Sequence, residues 1–270
     1  MDWLQAIILG IVQGLTEFLP VSSSGHLEIG RALLGAEAAE DLVFETVVHT
    51  ATVLATIVVF RKQIWALLCD LFKWKYNDGT DYILKICVSM VPVFIVGMFF
   101  KDKVEALFSS LTVVGIALLV TAVLLLLSDL VTKGRKAAEE EPDKYRNGIS
   151  WWQALVVGIG QACAVVPGLS RSGTTIATGL LCGAKRSAIA QFSFLMVLIP
   201  ILGEAFLDIV GGDLASSSTG FLPLCLGFIA AFASGLFACK AMVALVKRAR
   251  LKWFALYCAL VGAAVLIFLV

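Results

Sequence analysis

Residues 5–25 read QAIILGIVQGLTEFLPVSSSG, and residues 153–173 read QALVVGIGQACAVVPGLSRSG. At one constant offset, Gln5, Ala6, Gly10, Ile11, Gln13, Ser22, Ser24 and Gly25 equal Gln153, Ala154, Gly158, Ile159, Gln161, Ser170, Ser172 and Gly173. Pro20 and Pro167 miss that register by one position. Shared glycines and polar residues inside apolar runs point to an internal duplication. Each copy runs as an apolar helix to a proline, breaks at a Ser/Gly-rich stretch, and resumes as a second short apolar segment. Neither limb spans a bilayer alone, which needs about 20 residues of helix. The pattern is that of a re-entrant hairpin whose broken tip is enclosed by protein, because lipid offers loose backbone no partner.

The rest of the chain agrees with a membrane setting. Of its 270 residues 60% are hydrophobic and 15% charged, with mean hydropathy +0.94. That ratio leaves too little polar surface for a water-soluble domain. Uncharged stretches recur, and outside the two hairpins five of them, at 86–100, 106–128, 187–203, 214–239 and 253–270, join the apolar run 44–60 to predict six full spans. The expected fold is therefore all-α and polytopic: six transmembrane helices plus two re-entrant helical hairpins. The first half covers 1–128, the second 150–270, and 129–149 form a polar cytoplasmic connection. Its run Glu139-Glu140-Glu141 reads as a solvated surface.

Basic residues set the expected orientation. Arg61, Lys62, Lys73 and Lys75 mark one cytoplasmic loop. Lys133, Arg135, Lys136, Lys144 and Arg146 mark a second, and Lys247, Arg248, Arg250 and Lys252 a third. The loop 211–220 has no Lys or Arg and reads as external; so, by alternation, does the mixed-charge stretch at Lys101 and Lys103. The first hairpin then opens outward and the second, followed by Lys185-Arg186, inward. The two copies are inverted, and their tips meet at mid-depth.

Gln13 and Glu17 lie four apart, on one helix face. A carboxylate in an apolar helix costs ~2.5–3.5 kcal/mol on insertion scales, so it is retained for a reason. Ser22-Ser23-Ser24-Gly25-His26 follows, a run of hydroxyls and glycine before a helix start. Such a run cradles anions through backbone N–H groups and the helix dipole. Ser-rich helix caps are also common for their own sake. The stretch Pro167-Gly168-Leu169-Ser170-Arg171-Ser172-Gly173-Thr174-Thr175 is the stronger signal. Arg171 is a lone arginine that keeps its charge and presents a planar fork matched to phosphate oxygens. In the empty site Glu17 is its expected partner; a bound phosphate takes that place.

Other polar residues carry less. His49 reads as a satisfied buried histidine, and Glu28 and Arg31 as a local pair. Glu204 and Asp208 share a face near the external end of their span. The seven cysteines lie in apolar segments without a CxxC pair and read as buried packing thiols. Asp2 takes the place of a basic leader, so no cleaved signal peptide is expected. The net charge of +1 and absence of a basic tail give no nucleic-acid signature. There is no tight metal-ligand spacing, P-loop or dinucleotide fingerprint.

Taken together, Gln13-x-x-x-Glu17, Pro20 through His26 and Pro167 through Thr175 resemble the bacterial undecaprenyl-diphosphate phosphatase family, also called bacitracin-resistance proteins. The likeness runs end to end. The family's acidic motif allows Glu or Gln at its first position; Gln13 leaves this chain one carboxylate fewer, against a two-carboxylate metal site. The resemblance implies hydrolysis of a polyprenyl diphosphate, the carrier lipid of cell-wall synthesis, to the monophosphate and inorganic phosphate. It implies a pocket facing outside the bacterial plasma membrane. Glu17, Ser23, His26 and Arg171 are then the catalytic residues. Gln13, Ser22, Ser24, Gly25, Ser170, Ser172, Gly173, Thr174 and Thr175 surround the substrate. It also implies a divalent cation, Mg2+ or Ca2+, with no ligands identifiable here. The lipid phosphatases related to acid phosphatases are excluded: no Arg-Pro dipeptide exists, and Ala177 stands where they need histidine.

The sequence leaves the nucleophile open between Ser23 and a water activated by Glu17 or His26, and His26 is equally placed to protonate the leaving group. A second class of function, a transporter or flippase of polyprenyl phosphate, fits inverted repeats with broken helices. A structural scaffold has no use for Arg171. Small residues such as Gly227, Ala230 and Ala231 can pack helices within one chain or between two copies of a homodimer.

Overall fold

A computed structural model describes residues 1–35, 42–108, 110–132, 146–203, 219–246 and 250–270. Most of the polar connection, Glu204, Asp208, most of the 211–220 loop, Lys247 and Arg248 lie outside the described residues. Among the described residues the regular structure is helical, with no strand. The helices are α1 (Trp3–Phe18), α2 (Ser23–Leu34), α3 (Leu42–Leu71), α4 (Asp78–Phe99), α5 (Lys101–Phe108), α6 (Leu111–Thr132), α7 (Trp151–Cys163), α8 (Arg171–Leu181), α9 (Arg186–Met196), α10 (Phe221–Val246) and α11 (Lys252–Phe268).

Among the described residues five helices are long and apolar enough to cross a membrane: Val43–Leu71, Asp78–Phe99, Leu111–Thr132, Arg186–Gly203 and Phe221–Met242. The chain is a multi-pass membrane protein. Trp3–Thr16 and Lys252–Phe268 are shorter apolar helices. Several expected boundaries move. The expected span 106–128 begins at Leu111, after the separate short helix α5, and runs to Thr132, and the expected span 214–239 runs on through Lys240 to Val246. α3 continues past Arg61 and Lys62 to Leu71, which shrinks the expected basic loop to residues 72–77. α4 begins at Asp78 and takes in the buried pair Asp81–Lys85, 2.6 Å apart. Pairing on one face, four residues apart, lets both charges sit where the hydropathy reading stopped the span. Tyr76 and Asn147 also donate to Asp81, at 2.6 and 3.2 Å, tying the loop and the turn Arg146–Gly148 to α4.

The two broken-helix segments use the same local chemistry. Asp2 and Ser150 each close a capping box with the glutamine three residues on. Gln5 and Gln153 then donate to the carbonyls of Leu34 and Cys182, at 3.2 and 3.1 Å, pinning the end of each hairpin to its start. Ser22 and Ser170 cap α2 and α8 by accepting from the N–H of Gly25 and Gly173. The tips touch. A Cβ on Gly25 would lie 3.0 Å from the Gly168 backbone, and one on Gly173 3.3 Å from Pro20. Ser172 donates to the Leu19 carbonyl across the junction at 3.0 Å.

Each hairpin's first helix packs on a long helix from the other part of the chain. α1 lies on α10, and α7 on α4; α6 pairs with α11. α8 sits between α6 and α7, with α9 beside it, and α3 packs on α10. The main core, including Phe18, Val114, Leu118, Ile176, Ile189 and Phe192, surrounds the tips. Large apolar side chains cover the outside, among them Phe94, Ile229 and Phe237, as a lipid-facing surface requires. The cysteines depart from expectation: Cys239 and Cys258 are buried, but Cys69, Cys87 and Cys163 are exposed. In an apolar solvent an exposed thiol carries no penalty as a small hydrophobe.

Candidate active site

The site forms where the α1–α2 tip meets the α7–α8 tip. Glu17, one residue before the end of α1, is buried and receives four groups. Its Oε1 is salt-bridged to the Arg171 guanidinium, which arrives from the first residue of α8. Its Oε2 accepts from Ser23 Oγ at 2.6 Å and from Gln13 Nε2 at 3.0 Å. His49 of α3 brings Nε2 to 3.8 Å from the same oxygen. Gln13 is fully buried, and its Oε1 has no hydrogen-bond partner among the described residues.

The tip backbone is strained where it turns. Ser22 has φ 71°, a left-handed conformation that a non-glycine residue adopts at a cost of ~1–3 kcal/mol. Three contacts hold it. Its Oγ accepts from Gly25 N–H at 3.3 Å, and its carbonyl accepts from His26 N–H at 3.2 Å and from the His26 Nδ1 side at 2.7 Å. Ser24 Oγ lies 3.4 Å from Ser22 Oγ. The other face of His26 meets α11: Nε2 is 2.8 Å from the Tyr257 hydroxyl, with the two rings stacked. A carbonyl only accepts, so Nδ1 carries the proton and Nε2 accepts from Tyr257 when the ring is neutral.

On the second tip, Ser170 N–H donates to Thr121 of α6 at 3.1 Å, and Ser170 Oγ stands 3.5 Å from Ser172 Oγ. Thr174 and Thr175 lie behind the tip. Thr175 Oγ1 donates to the Arg171 carbonyl at 2.9 Å and meets Ser193 at 2.6 Å. Thr174 Oγ1 is buried without a partner among the described residues. A cleft beside Glu17 and Arg171 is completed by Thr52, Thr56, Ser172 and Ser193. The two tips thus bring Gln13, Glu17, Ser23, Arg171 and Ser172 together. His26 faces Tyr257, while His49, read from sequence as a packing histidine, faces the carboxylate. No local pattern marks His49 or Tyr257, since each arrives from a remote helix.

A computed profile of the family described as bacitracin resistance protein BacA matches residues 6–264. The chain belongs to that family. A relative from Bacteroides fragilis, named undecaprenyl-diphosphatase, is 52% identical over 266 residues, covering 97% of this chain and 96% of its own. One of the same name from Bacteroides thetaiotaomicron is 52% identical over 271 residues, covering 99% of each chain. The likeness extends to Carboxydothermus hydrogenoformans, whose undecaprenyl-diphosphatase is 36% identical over 270 residues, 99% of this chain and 97% of its own. The family-matched span contains both tips and α11 as far as residue 264, Tyr257 included.

The residues present do not by themselves build a cation site. Among the described residues no three His, Cys, Asp or Glu side chains cluster to hold a metal. The single carboxylate at the tips is already engaged by a guanidinium, a neighbour that repels a cation.

Proposed function

We propose that this chain hydrolyses undecaprenyl diphosphate to the monophosphate and inorganic phosphate, returning the carrier lipid to cell-wall synthesis. The observation that carries the reading is the Arg171–Glu17 pair with Ser23 on the same carboxylate, inside a multi-pass membrane protein. A guanidinium held at a junction of two helix starts, among hydroxyls, is a receptor for a phosphate dianion. The terminal phosphate displaces Glu17 from Arg171. Glu17 Oε2 is then free to act on Ser23, whose hydroxyl already donates to it at 2.6 Å, within general-base distance. That geometry favours Ser23 as nucleophile: its Oγ attacks the terminal phosphorus and the lipid monophosphate leaves. Water then cleaves the phosphoserine. Arg171 holds the charge that develops on the transferred group. His26 fixes the strained Ser22 and so the position of Ser23 beside it, and its Nε2 faces α11 with Tyr257. Gln13 orients Glu17, and Ser22, Ser24, Gly25, Ser170, Ser172 and Gly173 shape the cradle; Thr174 and Thr175 support it from behind.

The finer architecture belongs to the same reading. α1 and α7, at 16 and 13 residues, rise ~24 and ~20 Å, short of a ~30 Å hydrocarbon core, and act as limbs of re-entrant hairpins. α11 rises only ~26 Å over 17 residues, but it runs beside the long helix α6 from Leu251 at Asp129 to Leu266 at Gly115, which supports reading it as the sixth span. Halves 1–128 and 150–270, joined by 129–149, are inverted copies; their matching caps and hairpin ties support this. The distribution of basic residues supports a pocket on the outer face of the bacterial plasma membrane. The same inversion would suit a flippase of polyprenyl phosphate, with or without a homodimer. Phosphate released by purified protein in detergent, where no second leaflet exists, tests the hydrolase; lipid movement in vesicles without release would support the carrier instead.

A further inference from the structure

We infer that His49 is a positioning residue that carries the reaction's proton out of the site, from Glu17 to the outer end of α3. The inference rests on the phosphatase reading above. Three groups converge on one atom: Ser23 Oγ and Gln13 Nε2 donate to Glu17 Oε2 at 2.6 and 3.0 Å, and His49 Nε2 stands 3.8 Å from it. His49 Nδ1 lies 2.9 Å from the Glu45 carbonyl, so that nitrogen holds the proton of the neutral ring. Nε2 then presents a lone pair to a carboxylate oxygen. This arrangement is repulsive until one proton enters it, after which the imidazolium and carboxylate attract. The gap is one that a small ring rotation or a single water closes.

The chemistry supplies that proton. In the first step the Ser23 O–H bond and the phosphoanhydride P–O bond break, and a Ser23 O–P bond forms. The lipid monophosphate leaves with the anhydride's electron pair, and the hydroxyl proton passes to Glu17. Hydrolysis of the phosphoserine by water consumes no proton overall, because water gives one hydrogen to Ser23 and its hydroxyl to phosphorus. One proton is therefore left over each cycle near neutral pH. Glu17 has 4% of its side chain exposed, whereas His49 has 23%. Beyond His49 on the same helix, Glu45 is salt-bridged to Arg31 at 2.6 Å, and Arg31 also to Glu28 at 3.0 Å. This charged cluster marks the wet end of α3. Among the described residues, Arg171 is paired to Glu17 rather than to His49, and it keeps its charge, so it does not take up the proton. α10 has Lys240 as its only charged residue, late in the helix, and the α4 charges Asp78, Asp81 and Lys85 sit at the opposite end of α3.

The test compares phosphate release by purified wild type, His49→Gln and His49→Ala across pH, with and without added imidazole. A relay predicts that both variants lose about tenfold or more near neutral pH. The loss shrinks as pH rises and hydroxide removes the proton directly, and imidazole restores His49→Ala. A loss of equal size at every pH, no loss at all, or no rescue by imidazole overturns the relay. Glu17→Gln and Arg171→Lys measured alongside separate the two claims. If they remain fully active the phosphatase site itself is misplaced; if they are inactive while the His49 variants keep the wild-type pH profile, only the relay fails.

Discussion

Arg171 is the residue whose chemistry is least replaceable. Its planar fork is paired to the Glu17 carboxylate and, on the proposed reading, to the substrate's phosphate, whereas lysine offers only a point charge on a different stem. Arg171→Lys should lower turnover by ~10²-fold or more, read as phosphate release under saturating lipid. Ser23→Ala should remove turnover and also any label transferred to protein from terminally labelled substrate; a full rate in that variant would leave water as the nucleophile. His26→Ala should act indirectly. It removes the side-chain contacts to the Ser22 carbonyl and to Tyr257, and Ser22 can then relax from φ 71°; the relieved strain offsets part of the ~1 kcal/mol per lost hydrogen bond, so activity should fall more than thermal stability in detergent. At this scale the sequence was informative where chemistry is local. Glu17, the serine run and Arg171 stand out because charge and hydroxyls are expensive among apolar neighbours. His49 and Tyr257 do not stand out, because a histidine inside α3 and a tyrosine inside α11 have ordinary neighbours, and only the packing of distant helices aims them.

Among the elements, the hairpins were legible and the span boundaries were not. The repeat 5–25 against 153–173 holds the caps, the glycines and the tip, all of which reappear as matching hydrogen bonds. Hydropathy, by contrast, stops a span at its first charge. It therefore ended α3 before Arg61 and began α4 after Lys85, although helix geometry continues wherever a side chain can pair or reach water. The buried Asp81–Lys85 pair gives a measurable consequence. Lys85→Met leaves Asp81 as an uncompensated buried charge and should destabilise the protein by ~3–5 kcal/mol, whereas the double change Asp81→Asn with Lys85→Met should recover much of that loss. Thermal unfolding in detergent separates the two. Packing between α1 and α10 is equally exacting: a Cβ on Gly14 would collide with Ser234 and the Ala231 backbone. Gly14→Ala should cost ~1–3 kcal/mol and tilt α1, displacing Glu17 one turn away and reducing activity beyond the stability loss.

For the molecule as a whole, the arrangement solves one electrostatic problem. A phosphate group must be held by a permanent cation at a place where lipid surrounds the protein. The chain meets this by bending two short helices inward so that both helix starts, and the hydroxyls that cap them, face one another behind a wall of α3, α6, α9 and α10. Composition made the membrane setting plain, and the repeat made the pair of broken, serine-capped helices plain. Which long helix each hairpin leans on was not readable, since apolar faces in lipid differ by shape and small residues more than by hydropathy. The most direct test of this account is phosphate release from undecaprenyl diphosphate by the purified wild-type protein, set beside matched Glu17→Gln and Arg171→Lys variants that retain wild-type melting temperatures. The account predicts release by the wild type and a loss of ~10²-fold or more in both variants. Equal release by all three proteins, or none from the wild type, would contradict it.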